Sequence, residues 1–402
     1  MEKNFDIQKM NNNLAVAKNN TSVFNSGYLP TLKATAGGNY SNNNTNIVLL
    51  NDAEKDFLNA ETVLYNGGVS VNYVLFNGMA RKNKFAKLKE VYKLASIQKK
   101  ELINNVLYNV YNSYYAIAKT ELSKSVLEEA YEISKQRLTR ITYKFNYGQK
   151  TKLELLNAKV DANNDSLKIV NLNVQLENLK RNLSNLIGGN LEGKYAVEKS
   201  VNVNSSLGFE EIKQAMLQNN YLLNQMKLNK TITEYDLKIS KSGYMPQISA
   251  NVGYSLNNGI YSASLFFKEQ NVNGLGAGLN LSWNIFDGGT TKTRVQNAKI
   301  NMLNQELSLE QIKLNLQTQL ANTWANYQYE LTSISSEKMN VELSQENFNR
   351  TKERYNLGQI SSIDFRQAQL NLINSKIKLI HAQFSAKLAE VQLKKLSGGL
   401  VE

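Results

Sequence analysis

The sequence contains no cysteine, one histidine and two prolines in 402 residues. Without cysteine there can be no disulfide framework, zinc ribbon or thiol nucleophile, and one histidine cannot build a His-rich metal site. That histidine, His381, lies among apolar residues on a predicted helix, so we interpret it as a packing residue. The scarcity of proline favours long uninterrupted helices over a loop-rich enzyme. We therefore predict a protein that is not an enzyme and holds no cofactor or metal.

Long hydrophobic runs are also missing. No segment approaches 18 consecutive apolar residues, the length expected of a transmembrane helix. The first residues, MEKNFDIQKMNNN, lack the apolar core of an export signal. Lys and Arg outnumber Asp and Glu by 47 to 34, a formal net charge of +13. This excess of positive charge suggests nucleic acid as a possible binding partner. Because the lysines form no basic run, we favour a basic surface that faces solvent and predict no binding of nucleic acid.

An internal repeat is the strongest pattern in the sequence. Three motifs recur 210 residues later. Phe76-Asn77-Gly78 recurs as Phe286-Asp287-Gly288, and Leu186-Ile187-Gly188-Gly189 recurs as Leu396-Ser397-Gly398-Gly399. Between them, the set Asn146, Gly148 and Gln149 recurs as the set Asn356, Gly358 and Gln359. A constant offset over such a distance indicates two copies of one unit. We divide the chain into repeat 1 at 1–189, an equatorial linker at 190–207, and repeat 2 at 208–402.

Each repeat predicts one short helix, a β-hairpin and two long helices. In the long segments, apolar residues recur three or four apart, which is typical of coiled-coil-like helices. The predicted helices of repeat 1 are 1–27, 79–147 and 149–187, and those of repeat 2 are 208–243, 289–357 and 359–397. The helix 1–27 has no counterpart for 208–212, so we expect that the sequence starts inside a longer mature protein.

In the predicted β-hairpins, 28–77 and 244–286, the period changes to two. Apolar residues alternate with small or polar ones in four strands of about ten residues, as Ile248, Ala250 and Val252 do. Soluble half-buried sheets share this alternation with outer-membrane barrel strands. Four strands cannot close a barrel around a lumen, and open sheet edges are not tolerated in lipid, so we expect several chains to share one barrel.

The order and spacing of these motifs resemble the TolC family of outer-membrane efflux proteins over essentially the whole chain. Each copy has a β-hairpin entered by Tyr-x-Pro, at Tyr28 and Tyr244, and left by Phe-[Asn/Asp]-Gly. The resemblance implies an α+β membrane protein. Its long helical coiled-coil hairpins would join four antiparallel strands per chain, which contribute to the shared β-barrel of a homotrimer.

The resemblance also implies a function. The expected protein is a passive channel in the outer-membrane lipid that continues as a periplasmic tunnel. It would be the exit duct for a periplasmic adaptor protein and an inner-membrane transporter, in efflux or type I secretion. The alternative, a basic coiled-coil scaffold or nucleic-acid-binding protein, explains the charge and the helices but not the strands.

The family's gate lies where the helical hairpins turn. Its turn tyrosine, and the acid that this tyrosine contacts in the closed state, match Tyr355 and Glu154. An aspartate ring that narrows the pore matches Asp364, whereas the second aspartate falls on Gln367 and the family's gate arginine on Ile360. The resemblance therefore implies a ring with half the acidic charge and an entrance without the arginine's hydrogen bonds.

Ordinary structural roles remain open for these residues. Glu154 and Asp364 could be surface acids near helix starts, where the helix dipole favours them, and Tyr355 could be coiled-coil core. The glycines of the turns serve first to end helices. Because the turns are exposed at the expected tip, we predict four adaptor-docking residues: Asn146, Gly148, Asn356 and Gly358.

Overall fold

A computed structural model describes residues 3–189, 197–264 and 266–400 of the chain. Within them, seven helices and four strands follow the order α1 Phe5–Asn20, β1 Thr31–Val48, β2 Glu54–Asn77, α2 Ala80–Asn146, α3 Lys152–Ile187, α4 Phe209–Asn219, α5 Tyr221–Lys241, β3 Gln247–Tyr261, β4 Glu269–Ser282, α6 Thr290–Asn356 and α7 Ser362–Ser397. Part of the predicted linker, 190–196, lies outside the described residues. No helix in the described ranges combines the length and apolarity needed to cross a membrane.

The fold class predicted from the sequence is confirmed for one chain: long helices and four antiparallel strands. The shared trimeric barrel remains a prediction. The strands are longer than the ten residues expected, from 14 residues in β4 to 24 in β2. The polar Asn- and Ser-rich continuations of the alternating segments pair as well as the apolar parts do, because the ladder bonds are made by the backbone.

The helix predicted at 208–243 is two helices, α4 and α5, divided at Asn220. The Asn220 Oδ1 accepts a hydrogen bond from the Leu223 N–H at 3.0 Å, and its Nδ2 donates to the Leu396 carbonyl at 2.9 Å. Asn220 therefore caps the start of α5 and satisfies a carbonyl in the last turn of α7. This cap stops the helix where the apolar spacing alone predicts that it continues.

Asn4 repeats this arrangement in the first copy. Its Oδ1 accepts from the Ile7 N–H at 3.1 Å, and its Nδ2 donates to the Leu186 carbonyl at 2.7 Å. Both asparagines are buried, Asn4 to 7% exposure and Asn220 also to 7%. The internal repeat is therefore present at the level of individual hydrogen bonds.

The chain divides into two compact units, which we describe separately. Unit 1 comprises Met1–Leu14, Ala95–Lys227 and Ser308–Glu402. Unit 2 comprises Ala15–Leu94 and Leu228–Leu307. Each unit contains parts of both sequence repeats, because each repeat supplies a β-hairpin to unit 2 and long helical segments to unit 1.

The described residues of unit 2 form a four-stranded sheet with strand order β1-β2-β3-β4, all antiparallel, so that β1 and β4 are its edges. The register places one apolar row across the sheet: Leu32, Val71, Val252 and Ala277. The adjacent row, which points to the opposite face, is small or polar: Lys33, Ser70, Gly253 and Gly276. Both faces are largely exposed in a single chain.

Helices form most of the packed core of unit 1. One cluster of buried apolar residues joins α2, α3 and α7 through Ile117, Leu176 and Phe384. Another brings α4, α6 and α7 together through Met216, Leu320 and Leu393. These clusters hold the two helical hairpins, α2 with α3 and α6 with α7, in one unit.

Helix α3 has a second apolar face that stays exposed. Its residues recur three, four or seven apart, as in a coiled-coil seam, and each is between 48% and 67% exposed: Leu153, Leu156, Val160, Leu167, Val170 and Val174. We call this set the exposed α3 stripe. None of these six side chains is buried by another of the described elements.

Candidate functional site: the two helix turns

The turns that end α2 and α6 have the same backbone conformation. Gly148 and Gly358 take φ values of 71° and 77°, in the left-handed region that favours glycine. The Gln149 N–H donates to the Lys144 carbonyl at 2.8 Å, and the Gln359 N–H donates to the Arg354 carbonyl at 2.9 Å. These 6→1 bonds satisfy helix-end carbonyls as in a Schellman motif, so the glycines end the helices as predicted.

The two predicted acids, Glu154 and Asp364, occupy equivalent places three residues inside α3 and α7. The Thr151 Oγ1 accepts from the Glu154 N–H at 3.2 Å, while the Glu154 carboxylate accepts from the Thr151 N–H at 3.0 Å. The Ser361 Oγ and the Asp364 N–H make the same contact at 3.1 Å, with the return bond from the Ser361 N–H at 3.3 Å. Both acids thus belong to capping boxes, which is the ordinary role that the sequence left open for them.

Glu154 has a further partner, whereas no described cation is paired with Asp364. The Lys150 ammonium donates to the Glu154 Oε1 at 2.6 Å. This hydrogen bond, together with that from Thr151, lowers the pKa of Glu154 below its ordinary value. Glu154 is therefore charged at neutral pH and tied to its own turn in the single chain.

Tyr355 lies in the last turn of α6 and stacks on Phe365, with ring centroids 4.7 Å apart and planes at 20°. The Arg140 guanidinium lies 5.5 Å from the Tyr355 ring centroid and also donates to the Asn356 carbonyl at 2.8 Å. Among the described residues no hydrogen bond joins Tyr355 to Glu154. The packing role of Tyr355 is present in one chain, and its predicted closed-state contact stays a prediction.

Asp364 and Gln367 are both exposed and lie three residues apart on α7, hence on neighbouring parts of one helix face. Gln367 also lines a cavity of about 350 Å³ together with Glu154. The structure thus brings Glu154 near Gln367, whereas Asp364 and Tyr355 do not line this cavity. The predicted docking residues Asn146, Gly148, Asn356 and Gly358 are all exposed.

A buried ionic cluster lies beside these turns. The Arg366 guanidinium binds the Asp165 carboxylate through two hydrogen bonds, of 2.7 Å and 2.8 Å. The Ser134 hydroxyl donates to the same carboxylate at 2.7 Å, and the Gln369 Oε1 accepts from Arg366 at 2.9 Å. Asp165 is 1% exposed and Arg366 9%. This cluster connects α2 and α3 with the first turns of α7.

Arg137 makes a second connection of this kind. Its guanidinium forms an ion pair with Asp161 of α3 and donates to the Ser362 carbonyl of α7 at 3.3 Å. Asp161 in turn lies 3.7 Å from the Arg366 Nε. Two arginines and two aspartates thus fix the start of α7 against the first hairpin.

Neither buried arginine nor its aspartate was identified from the sequence. Asp165 and Arg366 are 201 residues apart, so no local motif contains both. One signal was available: Asp165 occupies a position of the buried α3 seam, in series with Leu155, Ala158 and Ala162, where an apolar residue is expected. A charge in an apolar seam indicates a buried partner on a neighbouring helix.

Comparison with protein families gives one match along almost the whole chain. The sequence model described as "Outer membrane efflux protein" matches residues 1–189 and 212–399. The outer membrane protein TolC of Escherichia coli (strain K12) is 21% identical over 310 residues, which is 73% of this chain. The chain spans only 60% of the length of that relative.

Solved structures share the fold. The chain is similar to CusC, with a TM-score of 0.80 and 18% identity over 98% of this chain and 89% of the other. It is also similar to the Campylobacter jejuni CmeC outer membrane channel, with a TM-score of 0.79 and 17% identity over 99% and 84%. The prediction that the chain is not an enzyme is confirmed at the level of the family, because the matching family model describes outer membrane efflux proteins.

Proposed function

Because this chain belongs to the outer membrane efflux protein family, we propose that it forms a trimeric outer-membrane channel that continues as a periplasmic tunnel. The observation that carries the proposal is the sheet of unit 2, with an apolar face, a small and polar face, and two edge strands that pair on one side only with the described strands. Open edges are costly in lipid, so closure requires further copies.

The small and polar face of the sheet suits the lumen of that barrel. It carries Asn, Ser and Gly side by side, including Asn66, Ser70, Asn251, Gly253 and Gly276. Glycine and small polar side chains leave the lumen wide and wet, whereas the apolar face would contact lipid. Conduction would be passive, since we find no nucleotide motif in the sequence and infer that the energy comes from an inner-membrane transporter.

We assign the two helix turns to the periplasmic entrance of the duct. The exposed turns at Gly148 and Gly358 would meet a periplasmic adaptor protein, in a tripartite efflux or type I secretion system. Asp364 would line the entrance beside Gln367, and three copies around the axis would attract cations. The ionic cluster that fixes α7 to the first hairpin supports a closed state in which the second hairpin is held in place.

The first experiment measures assembly and membrane residence. We expect extraction to require detergent and the native mass in detergent to be three times that of one chain. A fully soluble monomer would support the basic scaffold instead. Planar-bilayer recording then tests conduction directly.

The second experiment tests the entrance. Asp364→Asn should reduce cation preference and divalent-cation block, because it removes the ring of charge. Glu353→Gln, which removes an exposed acid from the last turn of α6, is the matched control. If both variants conduct with unchanged selectivity, Asp364 is only a capping residue.

The Tyr355 hydroxyl is tested separately. It has no hydrogen-bond partner among the described residues of one chain, and its ring packing would survive removal of the oxygen. Tyr355→Phe should therefore raise basal conductance only if the hydroxyl contacts another group in the closed trimer. Unchanged basal conductance would leave Tyr355 as a packing residue.

A further inference from the structure

Five side chains of unit 2 form a continuous series of aromatic and cationic groups: Tyr73, Arg81, Tyr28, Phe85 and Lys89. The Arg81 guanidinium lies 5.6 Å from the Tyr73 ring centroid and 4.5 Å from that of Tyr28. Tyr28 meets Phe85 edge to face at 5.8 Å, and the Lys89 ammonium lies 4.6 Å from the Phe85 centroid. We call this series the aromatic–cation ladder.

The ladder starts on the apolar face of the sheet and continues onto helix α2. Tyr73 is two residues along β2 from Val71, so both side chains point to the apolar face. Arg81 follows the end of β2 at Asn77 by four residues, and Lys89 lies roughly two turns further along α2. The ladder therefore marks the edge of the apolar face, where a lipid-facing surface would meet water.

The cations of the ladder have unused hydrogen-bond donors. The Arg81 Nη1 donates to the Val74 carbonyl at 2.6 Å and to the Gly27 carbonyl at 3.2 Å. In the described part of the chain the Nε and Nη2 groups of the same guanidinium have no hydrogen-bond partner. Lys82 and Lys89 are exposed, and neither forms an ion pair with a described acid. These donors are available to an anion.

The charges at the N-terminal end of α2 are positive, which is the sign that the helix dipole disfavours there. Helix N-termini favour acids and disfavour cations. Helices α3, α4 and α7 follow this rule and have an acid in the first turn, whereas α2 and α6 have none. The first ten residues of α2 carry five cations and no acid, and of these five only Lys87 is paired with a described acid, Asp236 at 2.6 Å.

Exposed aromatic residues lie at the same end of the sheet. Phe24 precedes β1 and is 85% exposed, while Trp283 and Phe286 follow β4 and are 53% and 87% exposed. Aromatic side chains of this kind are enriched where membrane proteins cross the lipid headgroups. Cations beside them would lie at the depth of the lipid phosphates.

We propose that the aromatic–cation ladder, with Lys82, is a binding site for the headgroup of an anionic phospholipid in the membrane leaflet on the helical side of the sheet. The phosphate would accept hydrogen bonds from the free donors of Arg81 and from the ammonium groups of Lys82 and Lys89. Tyr28, Tyr73 and Phe85 would contact the glycerol and the first methylenes. This proposal rests on the proposed membrane location of the sheet and adds a lipid preference to it.

The test uses the full-length protein purified in detergent and supplied with equal amounts of phosphatidylethanolamine and phosphatidylglycerol. Native mass spectrometry counts the lipids that remain bound. The test variant is Lys82→Gln/Lys89→Gln, since Arg81 also holds the junction between β2 and α2 together. The control is Lys152→Gln/Lys159→Gln, which removes two exposed lysines from α3, one of them 5.4 Å from the Phe145 ring centroid.

We expect the unsubstituted protein to retain phosphatidylglycerol in preference to phosphatidylethanolamine. In the test variant the preference for phosphatidylglycerol should fall about fivefold for each lysine removed. In the control variant the preference should not change. High salt should weaken the preference, whereas inorganic phosphate at the lipid concentration should not displace the lipid, because it lacks the apolar contacts.

Equal retention of the two lipids by the unsubstituted protein overturns the proposal, and so does an equal loss in the control variant. Displacement by inorganic phosphate would also contradict it, since the site would then bind a free anion. A trimer that conducts in bilayers but shows no lipid preference removes only this inference. A chain that neither inserts nor conducts removes the proposed function as well.

Discussion

The two helical hairpins have the same backbone plan, and a polar contact at equivalent positions of the two shows how they differ. In the first hairpin, Ser134 of α2 donates to Asp165 of α3 at 2.7 Å. At the equivalent place in the second hairpin, 210 residues later, the hydroxyls of Ser344 and Ser375 lie 3.0 Å apart. The serine is the same in both copies, and its partner is charged in one and neutral in the other.

The charge of the partner determines whether the contact stays within one hairpin or joins the two hairpins. The Ser375 hydroxyl, which contacts that of Ser344, also donates to the Asn371 carbonyl of its own helix at 2.9 Å, so this contact stays within its own hairpin. A buried carboxylate needs a cation, and Asp165 obtains it from Arg366 of α7. The first hairpin is therefore joined to the second by its charge, and one residue type at one position changes a contact within a hairpin into a contact between hairpins.

The largest effect should come from removing the charge in the first hairpin. Asp165→Ala leaves the Arg366 guanidinium buried without its main partner, which should lower the free energy of unfolding by about 3–5 kcal/mol. Ser375→Ala, the equivalent change in the second hairpin, should cost only about 1 kcal/mol. Urea titration of both variants in detergent, followed by circular dichroism, measures the difference.

A paired substitution separates the charge from the packing. Asp165→Leu with Arg366→Met removes both charges, and such replacements are often neutral or stabilising. The double variant should therefore be more stable than Asp165→Ala. If Asp165→Ala and Ser375→Ala lower the free energy of unfolding equally, the buried charge adds no stability and the proposed difference between the hairpins is wrong.

Acidification should weaken the same contact. Burial raises the pKa of Asp165, but the hydrogen bonds from Arg366 and Ser134 and the Arg366 charge outweigh it, so the pKa lies below its ordinary value. A lowered pKa contributes stability that is present above the ordinary aspartate pKa of about 3.9 and is lost as pH falls through the lower folded-state value. Asp165→Asn should therefore show a flatter loss of stability below about pH 4 than the unsubstituted protein.

Melting temperatures measured from pH 7 down to pH 2 give this slope. Ser375→Asn serves as the control, because it adds the same side chain to the second hairpin without removing a titrating group. Parallel slopes for the unsubstituted protein and Asp165→Asn would show that other carboxylates dominate acid unfolding.

The turns should respond equally, because their geometry is the same in the two hairpins. Gly148→Ala and Gly358→Ala both place a side chain at positive φ, and nothing lies within 4 Å of the added Cβ in either turn. Each should cost about 1–2 kcal/mol from backbone strain alone. Thermal unfolding of the two variants tests this equality, and a difference of more than about 1 kcal/mol would mean that one turn has an additional contact in the assembly.

The smallest expected effect concerns the capping boxes. Thr151→Ala and Ser361→Ala each remove a hydroxyl that accepts a backbone N–H, and each should cost about 1 kcal/mol. In the first hairpin Lys150 still holds Glu154 in place, so Thr151→Ala should be the milder change. Hydrogen exchange of the first turns of α3 and α7 can resolve this difference, and faster exchange at α3 than at α7 would contradict it.

Much of the fold follows from periodicity that the sequence displays directly. The three- and four-residue spacing predicts the long helices, and the 210-residue offset identifies the two turns and their capping acids in advance. The break at Asn220 could not be predicted in this way, because its cap is completed by the Leu396 carbonyl of a distant helix. An asparagine inside an apolar repeat has no local feature that distinguishes a cap from a surface residue.

The candidate site shows the same division between features that are local in sequence and features that depend on distant residues. Glycines at positive φ and acids at helix starts are local features, so Gly148, Gly358, Glu154 and Asp364 were found from the sequence. The ionic cluster depends on packing between α3 and α7, which sequence spacing does not give. The roles of Asp364 and Tyr355 in a closed entrance depend on contacts between chains and stay predictions.

The exposed α3 stripe makes the fate of a newly made chain depend on how many others surround it. Its six half-exposed aliphatic side chains are left uncovered by the described part of one copy. If a second copy covers them, mass action links folding to assembly, and the apparent melting temperature rises with protein concentration. Until a partner covers it, the same surface is an aggregation hazard, which rapid assembly or shielding of single chains would reduce.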